Sequence, residues 1–170
     1  MRHDEFERLY TAEAQGLFAF LAYRTGDRTL AEDLLADAFE RALRARRGYD
    51  RRRGSQKTWL YAIALNVLRD HARRAAAEGR AYERAADPSS EPAGAGRDLG
   101  TAPDPFAGVE ARDELARALS ALSAEEREAI ALRFGAELTV PEMASVLGEP
   151  LTTVEGRVYR ALRKLRDALD

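Results

Sequence analysis

Thr139-Val-Pro-Glu-Met-Ala144-Ser-Val-Leu-Gly148-Glu-Pro-Leu-Thr-Thr-Val154 is the stretch that decides the fold, and an Arg-rich tail follows it to Leu165. Ala144, Gly148 and Val154 stand four and six positions apart, which suits two helices joined by a tight turn and crossing closely. A small Ala lets the second helix approach the first, Gly148 can take the left-handed conformation that ends a helix, and Val154 fills the shared core. The spacing predicts a helix-turn-helix, and with it a DNA reader.

The second helix of that unit agrees. At about 100° per residue, Val154, Val158, Ala161 and Leu165 form one apolar stripe, while Thr153, Arg157, Arg160 and Lys164 form another on a different face. The first stripe packs and the second can meet phosphates and base edges. An Arg in a major groove donates two hydrogen bonds to guanine, a pairing that discriminates by about 1–3 kcal/mol. Taken alone, a basic stripe is an ordinary solvated face. Joined to the Ala-Gly-Val spacing, it favours nucleic acid.

Composition excludes several other classes. The 170 residues allow one domain or two small ones, and a hydrophobic content of 45% supports compact cores. With no cysteine and only two histidines, neither a disulfide framework nor a metal centre is expected. No nucleophile paired with a base and no Gly-rich phosphate loop is present, so no catalytic residues and no cofactor are assigned. No apolar run approaches the eighteen or so residues of a membrane span, and the start Arg2-His-Asp-Glu-Phe-Glu lacks a signal-peptide layout. The expectation is a cytoplasmic chain without membrane insertion.

The net charge of -2 conceals an alternation. Residues 1–40 carry 4 basic and 9 acidic side chains, 41–84 carry 13 and 4, 85–150 carry 5 and 13, and 151–170 carry 5 and 3. Two basic blocks separated by acidic ones fit separate surfaces for nucleic acid and for something else.

Helix-start signals recur along the chain. Thr29 with Glu32, Ser123 with Glu126, Thr139 with Glu142 and Thr152 with Glu155 each have the spacing of a capping box. Helices are predicted at about 4–24, 29–46, 55–84, 108–121, 124–135, 139–147 and 152–168, an all-α fold. Residues 87–105 carry four prolines and few large apolar side chains, the composition of a flexible linker. Two small helical domains follow, 1–84 and 108–170, joined by a linker at 85–107. A long tether lets two such domains grip separated sites at once.

In the N-terminal domain, Leu60, Ile63, Ala64 and Val67 share a buried face, while Asn66, Arg69, Asp70 and Arg73 share a polar one. Before them, Gly48-Tyr-Asp-Arg-Arg-Arg-Gly-Ser-Gln-Lys-Thr-Trp59 places aromatic rings at both ends of a basic loop. Rings beside cations suit unstacked DNA, because bases stack on the rings while cations hold the backbone. Trp59 is assigned chiefly to the core; Tyr49 fits either role.

Four blocks in order resemble a known family: Ala31-Glu-Asp-Leu-Leu-Ala-Asp-Ala-Phe-Glu-Arg-Ala, Trp59-Leu-Tyr-Ala-Ile-Ala-Leu-Asn66-Val-Leu-Arg-Asp70-His-Ala-Arg-Arg74, Leu122-Ser-Ala-Glu-Glu-Arg-Glu-Ala-Ile-Ala-Leu-Arg-Phe, and the helix-turn-helix. They look like the bacterial sigma-70 family, and more closely its compact extracytoplasmic-function (ECF) group. The resemblance implies a factor without catalytic chemistry that binds core RNA polymerase, directs it to promoter DNA and helps melt it. It implies contacts with the clamp helices of the largest polymerase subunit and with the flap region, and an anti-sigma protein wedged between the two domains.

By position, the resemblance places Asp33, Asp37, Phe39 and Arg41 in the polymerase-docking contact. It assigns the minus-10 element to Tyr49, Arg51, Arg52, Arg53, Ser55, Lys57, Trp59, Asn66, Arg69 and Arg73. The loop at 48–58 would capture a flipped base, an extrusion that costs a few kcal/mol of stacking. The minus-35 element falls to Thr152, Thr153, Glu155, Gly156, Arg157, Arg160 and Lys164. Three positions depart from the family pattern. Ala36 stands where the docking helix usually carries Gln, and Glu155 and Gly156 stand where a basic residue and a small hydroxyl are common. Glu155 suits either a cap partner for Thr152 or an acceptor from a cytosine amino group. The rival functions are a stand-alone helix-turn-helix regulator and a sigma-like decoy that binds an anti-sigma protein. The free chain is expected to be open or loosely closed.

Overall fold

The computed structural model describes residues 1–85, 115 and 117–169, with the side chains of 81–85 left out. The linker expected at 85–107 lies outside these residues except for Ala85, and so does most of the helix expected at 108–121. All regular structure among the described residues is helical.

Three helices build the N-terminal half. Helix α1, His3–Thr25, buries Phe6, Leu9, Leu17, Phe20 and Leu21, which recur at helical spacing. It stops at Gly26, whose φ of 66° is left-handed and whose N–H donates to the Ala22 carbonyl at 2.9 Å. Helix α2, Arg28–Ala45, starts one residue before the expected Thr29 cap. Asp27 takes that position, its carboxylate accepting from the Leu30 N–H at 3.1 Å, so Thr29 and Glu32 form no capping box there. Fully buried Ala31, Ala38 and Ala42 let α2 lie close to its neighbours. Helix α3, Gln56–Ala85, begins where Ser55 Oγ accepts from the Thr58 N–H at 3.1 Å. It buries Leu60, Ala64 and Val67 as expected.

The C-terminal half repeats the same logic on a smaller scale. Helix α4, Ala124–Ile130, opens with the reciprocal Ser123–Glu126 box and runs into a π-helical turn at Ala131–Gly135. In that turn the Ala136 N–H reaches the Ala131 carbonyl, five residues back, at 2.9 Å. Helix α5, Val140–Leu147, opens with the Thr139–Glu142 box and ends at Gly148 with φ 68°, as the sequence requires. Helix α6, Leu151–Leu169, starts earlier than expected because the Pro150 carbonyl accepts from both Thr153 and Val154. Thr152 therefore sits inside the first turn rather than at the cap. Val154, Val158 and Ala161 are buried beneath α6, completing the helix-turn-helix core.

The two halves are closed on each other. Helix α3 packs on α5 and α1 packs on the π-helical turn, and apolar side chains from both halves belong to one continuous core. A second face of α3, carrying Thr58, Tyr61 and Leu65, is buried as completely as the first. Burial pushes the Tyr61 phenol far above its ordinary range, and Glu13 and Glu137, one from each half, add to that push.

Candidate nucleic-acid interface

The loop between α2 and α3 is shaped by its own polar groups. Two 3-10 turns, Arg46–Gly48 and Arg51–Arg53, carry it, the second capped by Asp50, whose side chain accepts from the Arg52 N–H at 2.9 Å. The Tyr49 hydroxyl donates to the Gly54 carbonyl at 2.9 Å, and its ring tilts against Trp59 at 5.4 Å between centroids. Desolvation raises the phenol's pKa, so Tyr49 stays a neutral donor. Gly54 has φ 150°, a backbone conformation open to glycine and few other residues. Tyr49 and Trp59 are both half-buried, so the rings anchor the loop while keeping edges accessible.

The basic side chains of this surface differ in their engagement. Arg52, Arg53 and Ser55 are exposed at the loop's rim, and Arg51 pairs with Glu5 of α1 at 2.7 Å. Lys57 lies 3.9 Å from Glu13. Along α3, Asn66 and Arg69 are exposed, Arg69 lying 3.8 Å from Glu128 of α4, and Arg73 pairs with Asp70. The polar face predicted for α3 is thus present, with its Arg side chains spread from the loop toward the helix C-terminus.

Helix α2, to which the family resemblance assigns docking, divides its residues between outside and inside. Asp33 is exposed, with Glu32, Ala36 and Glu40 beside it on the outer face of α2. Asp37 accepts two bonds from Arg41, at 2.9 and 3.0 Å, and Arg41 also donates to Asp70 of α3 at 2.9 Å. Hydrogen bonds from Arg41 and then Arg73 hold the Asp70 carboxyl below its ordinary range, and hydrogen bonds to Asp37 and then Asp70 raise Arg41. Phe39 corrects the expectation. It is core, edge-on to Phe6 at 6.2 Å and against Tyr10 at 4.7 Å between centroids, and supports α2 from beneath.

On α6, the predicted basic stripe is only partly outward. Arg157 is enclosed, with its side chain 13% exposed, and grips Glu149 of the preceding turn through both terminal nitrogens. Lys164 donates to Glu126 of α4 at 2.8 Å. These two cations brace the unit. The outer face carries Thr152, Thr153, Glu155 and Arg160, with Gly156 half-buried among them. A Cβ at Gly156 would meet only the Arg160 guanidinium tip, at 3.3 Å, so that position presents bare backbone to an approaching partner. Because α6 starts at Leu151, Glu155 is left to outward chemistry rather than to a cap at Thr152.

Sequence reasoning missed Tyr159, 68% exposed, and Arg163, both on this outer face. The signal was available: the buried stripe of Val154, Val158 and Ala161 points the opposite face at Gly156, Tyr159 and Arg163 as well as Arg160. It also missed Glu32 and Glu40, which extend the acidic face of α2. Among the described residues, no group of three or more His, Asp or Glu is placed to hold a metal ion, and no helix is long and apolar enough to cross a membrane.

Comparisons with known proteins fit this geometry. Residues 9–78 match the family model described as Sigma-70 region 2, and residues 112–165 match that described as Sigma-70, region 4. The ECF RNA polymerase sigma factor BldN of Streptomyces coelicolor is 28% identical over 162 residues, which cover 95% of this chain and 59% of BldN. The ECF RNA polymerase sigma factor SigC of Mycobacterium tuberculosis is 34% identical over 164 residues, covering 96% of this chain and 80% of SigC. The structure of CnrH in complex with the cytosolic domain of CnrY superposes with a TM-score of 0.66 at 27% identity, covering 99% of this chain and 90% of that one.

Proposed function

Because the chain belongs to the sigma-70 family of RNA polymerase sigma factors, in its ECF group, we propose that it binds core polymerase and directs transcription initiation through minus-10 and minus-35 promoter elements. The observation that supports this is the presence on one chain of two different surfaces suited to nucleic acid. One is an aromatic and basic loop suited to unstacked DNA; the other is an outward helix face suited to a major groove. A stand-alone helix-turn-helix regulator leaves the Tyr49–Trp59 loop and the acidic face of α2 without a use.

Residues 1–84 act as the docking and melting domain and 108–170 as the minus-35 domain, with 85–107 as their tether. Glu32, Asp33, Asp37 and Glu40 on α2 face the clamp helices of the largest polymerase subunit, and the C-terminal domain meets the flap region. Arg52, Arg53, Ser55 and the Tyr49–Trp59 pair receive the opened minus-10 strand, where a base leaves its stack for an aromatic surface and the cations hold its backbone. Arg51 and Lys57 join them when their acidic neighbours on α1 yield to phosphate. Asn66, Arg69 and Arg73 hold the duplex just upstream. Thr152, Thr153, Glu155, Gly156, Tyr159, Arg160 and Arg163 face the minus-35 groove, while Arg157 and Lys164 hold the reading helix in place.

Sigma factors are initiation factors without enzymatic chemistry of their own; the bond-making belongs to the polymerase. The chain works in the cytoplasm and is bound by an anti-sigma protein, a reading supported by the complex of the similar CnrH with the cytosolic domain of CnrY. The test is reconstitution. Core polymerase mixed with the chain should co-elute with it and protect two upstream DNA segments at a fixed separation. A chain that never associates with core would overturn the proposal.

A further inference from the structure

Glu128 of α4 reaches two guanidinium groups of the N-terminal half at once. One carboxylate oxygen lies 3.1 Å from Arg24 Nη2, at the end of α1, and the other 3.8 Å from Arg69 Nη2 on α3. The Arg24 contact is largely enclosed, its side chains 20% and 12% exposed. A second acidic side chain, Glu142 of α5, accepts from Thr58 Oγ1 at 3.4 Å and feels the charge of Lys57. Both carboxylates come from the acidic block of the sequence and both face the basic half.

Arg24 is incompletely served in this contact. Its Nε is the one buried side-chain polar atom, among the described residues, that has no hydrogen-bond partner. Glu128 divides its oxygens between two arginines and so takes only Nη2 of Arg24. A backbone phosphodiester offers two non-bridging oxygens and, not being tied to α4, is free to lie in the plane of the Arg24 guanidinium and accept from Nε and Nη2 side by side, with the charge of Arg69 beside it. Arg24 therefore keeps a donor that the carboxylate now beside it does not use and that a phosphodiester can take.

We propose that Arg24 and Arg69 seat a DNA backbone phosphate, and that Glu128 fills this seat in the closed chain, so that closure and promoter binding exclude each other. Arg24 thereby joins the DNA-binding residues although it stands far in sequence from the rest. The inference rests on the sigma-factor function proposed above. It makes closure a competitor of DNA, because the affinity of the chain for DNA is reduced by the fraction held shut.

The experiment uses the full chain without polymerase and a fluorescein-labelled forked DNA of mixed sequence, followed by anisotropy across a salt series. Glu128→Gln should bind the fork roughly three- to ten-fold more tightly than wild type, since loss of the carboxylate raises the open fraction. Glu128→Asp, which keeps the charge but withdraws it, should gain less. Arg24→Gln removes a closure contact and a phosphate contact together, so its readout is the salt slope, whose magnitude should fall by about 0.7–0.9, the loss of one phosphate contact. In the double variant, the gain from Glu128→Gln should be largely lost. Melting curves establish that each variant is folded. Unchanged or weaker binding by folded Glu128→Gln and Glu128→Asp, or an unchanged salt slope in Arg24→Gln, would overturn the inference. Promoter-dependent initiation by the wild-type chain, measured in parallel with core polymerase, tests the underlying function separately. Initiation without the Glu128 effect removes this inference alone; absence of initiation removes the function.

Discussion

Arg157 and Glu149 form a two-pronged ion pair across the turn between α5 and α6, with Nη1 and Nη2 at 3.2 and 2.6 Å from the two carboxylate oxygens. The pair clamps the base of the reading helix to the turn before it, so Arg157 belongs to the architecture of the helix-turn-helix. Arg160, one turn further on, is exposed and belongs to its outer face.

The two arginines should therefore fail differently. Arg157→Ala should cost the C-terminal half about 1–2 kcal/mol, the scale of a charge-assisted, partly enclosed pair. Arg160→Ala should change stability by less than about 0.5 kcal/mol yet weaken minus-35 discrimination by about 1–3 kcal/mol. Thermal melts beside footprints on matched and mismatched minus-35 DNA separate the two. Equal melting temperatures with equal losses of footprint would contradict the division.

Helix α2 offers a parallel contrast. Asp33→Ala should reduce association with core polymerase without a change in melting, because Asp33 is exposed. Phe39→Ala should instead unfold the N-terminal half more readily, by about 3–5 kcal/mol, because its ring is buried against Phe6 and Tyr10. Chemical denaturation and a core-binding assay on both variants check the pair.

Acid should expose the Lys164–Glu126 contact. The hydrogen bond from Lys164, followed by the backbone N–H of Ser123, holds the Glu126 carboxyl below its unperturbed value of 4.5. The stabilisation is fully present above that value and is lost as pH falls through the lower, folded one. Glu126→Gln, which keeps a capping acceptor but not the charge, should melt below wild type at pH 7. The two should converge as pH falls through that lowered Glu126 value. A gap that persists at low pH would assign the difference to packing instead.

Gly148→Ala should destabilise the C-terminal half by about 1–2 kcal/mol, because φ 68° places a Cβ against its own backbone. No neighbouring atom lies within 4 Å of that Cβ, so the loss reports backbone conformation alone. Melting of the variant, compared with a Gly135→Ala control at a non-left-handed site, checks it.

How much of this was legible depended on whether a residue's partner was near in sequence. The turn at Gly148, the core at Val154 and the boxes at Ser123 and Thr139 are local devices, and each appears where the sequence placed it. Thr29 and Thr152 have the same motif spacing but lost the cap because Asp27 and Pro150 begin their helices earlier. Arg157 and Lys164 fall on a basic stripe, yet their partners Glu149 and Glu126 become visible only once the helices are packed. The same holds for Tyr61 and Leu65: a helix wheel for α3 shows one core face, while the second is buried by neighbours distant in sequence, Tyr61 lying edge-on to Phe20 of α1 at 5.7 Å between centroids. Phe39 was placed outside by family position, although its aromatic neighbours turn it inward.

The most direct test of the whole account is transcription of sheared genomic DNA by core polymerase, with and without this chain, followed by sequencing of RNA 5′ ends. New start sites that share two upstream motifs at a constant separation are the predicted result, and they would supply the promoter at the same time. An unchanged set of 5′ ends, from a chain that demonstrably binds the core, would contradict it.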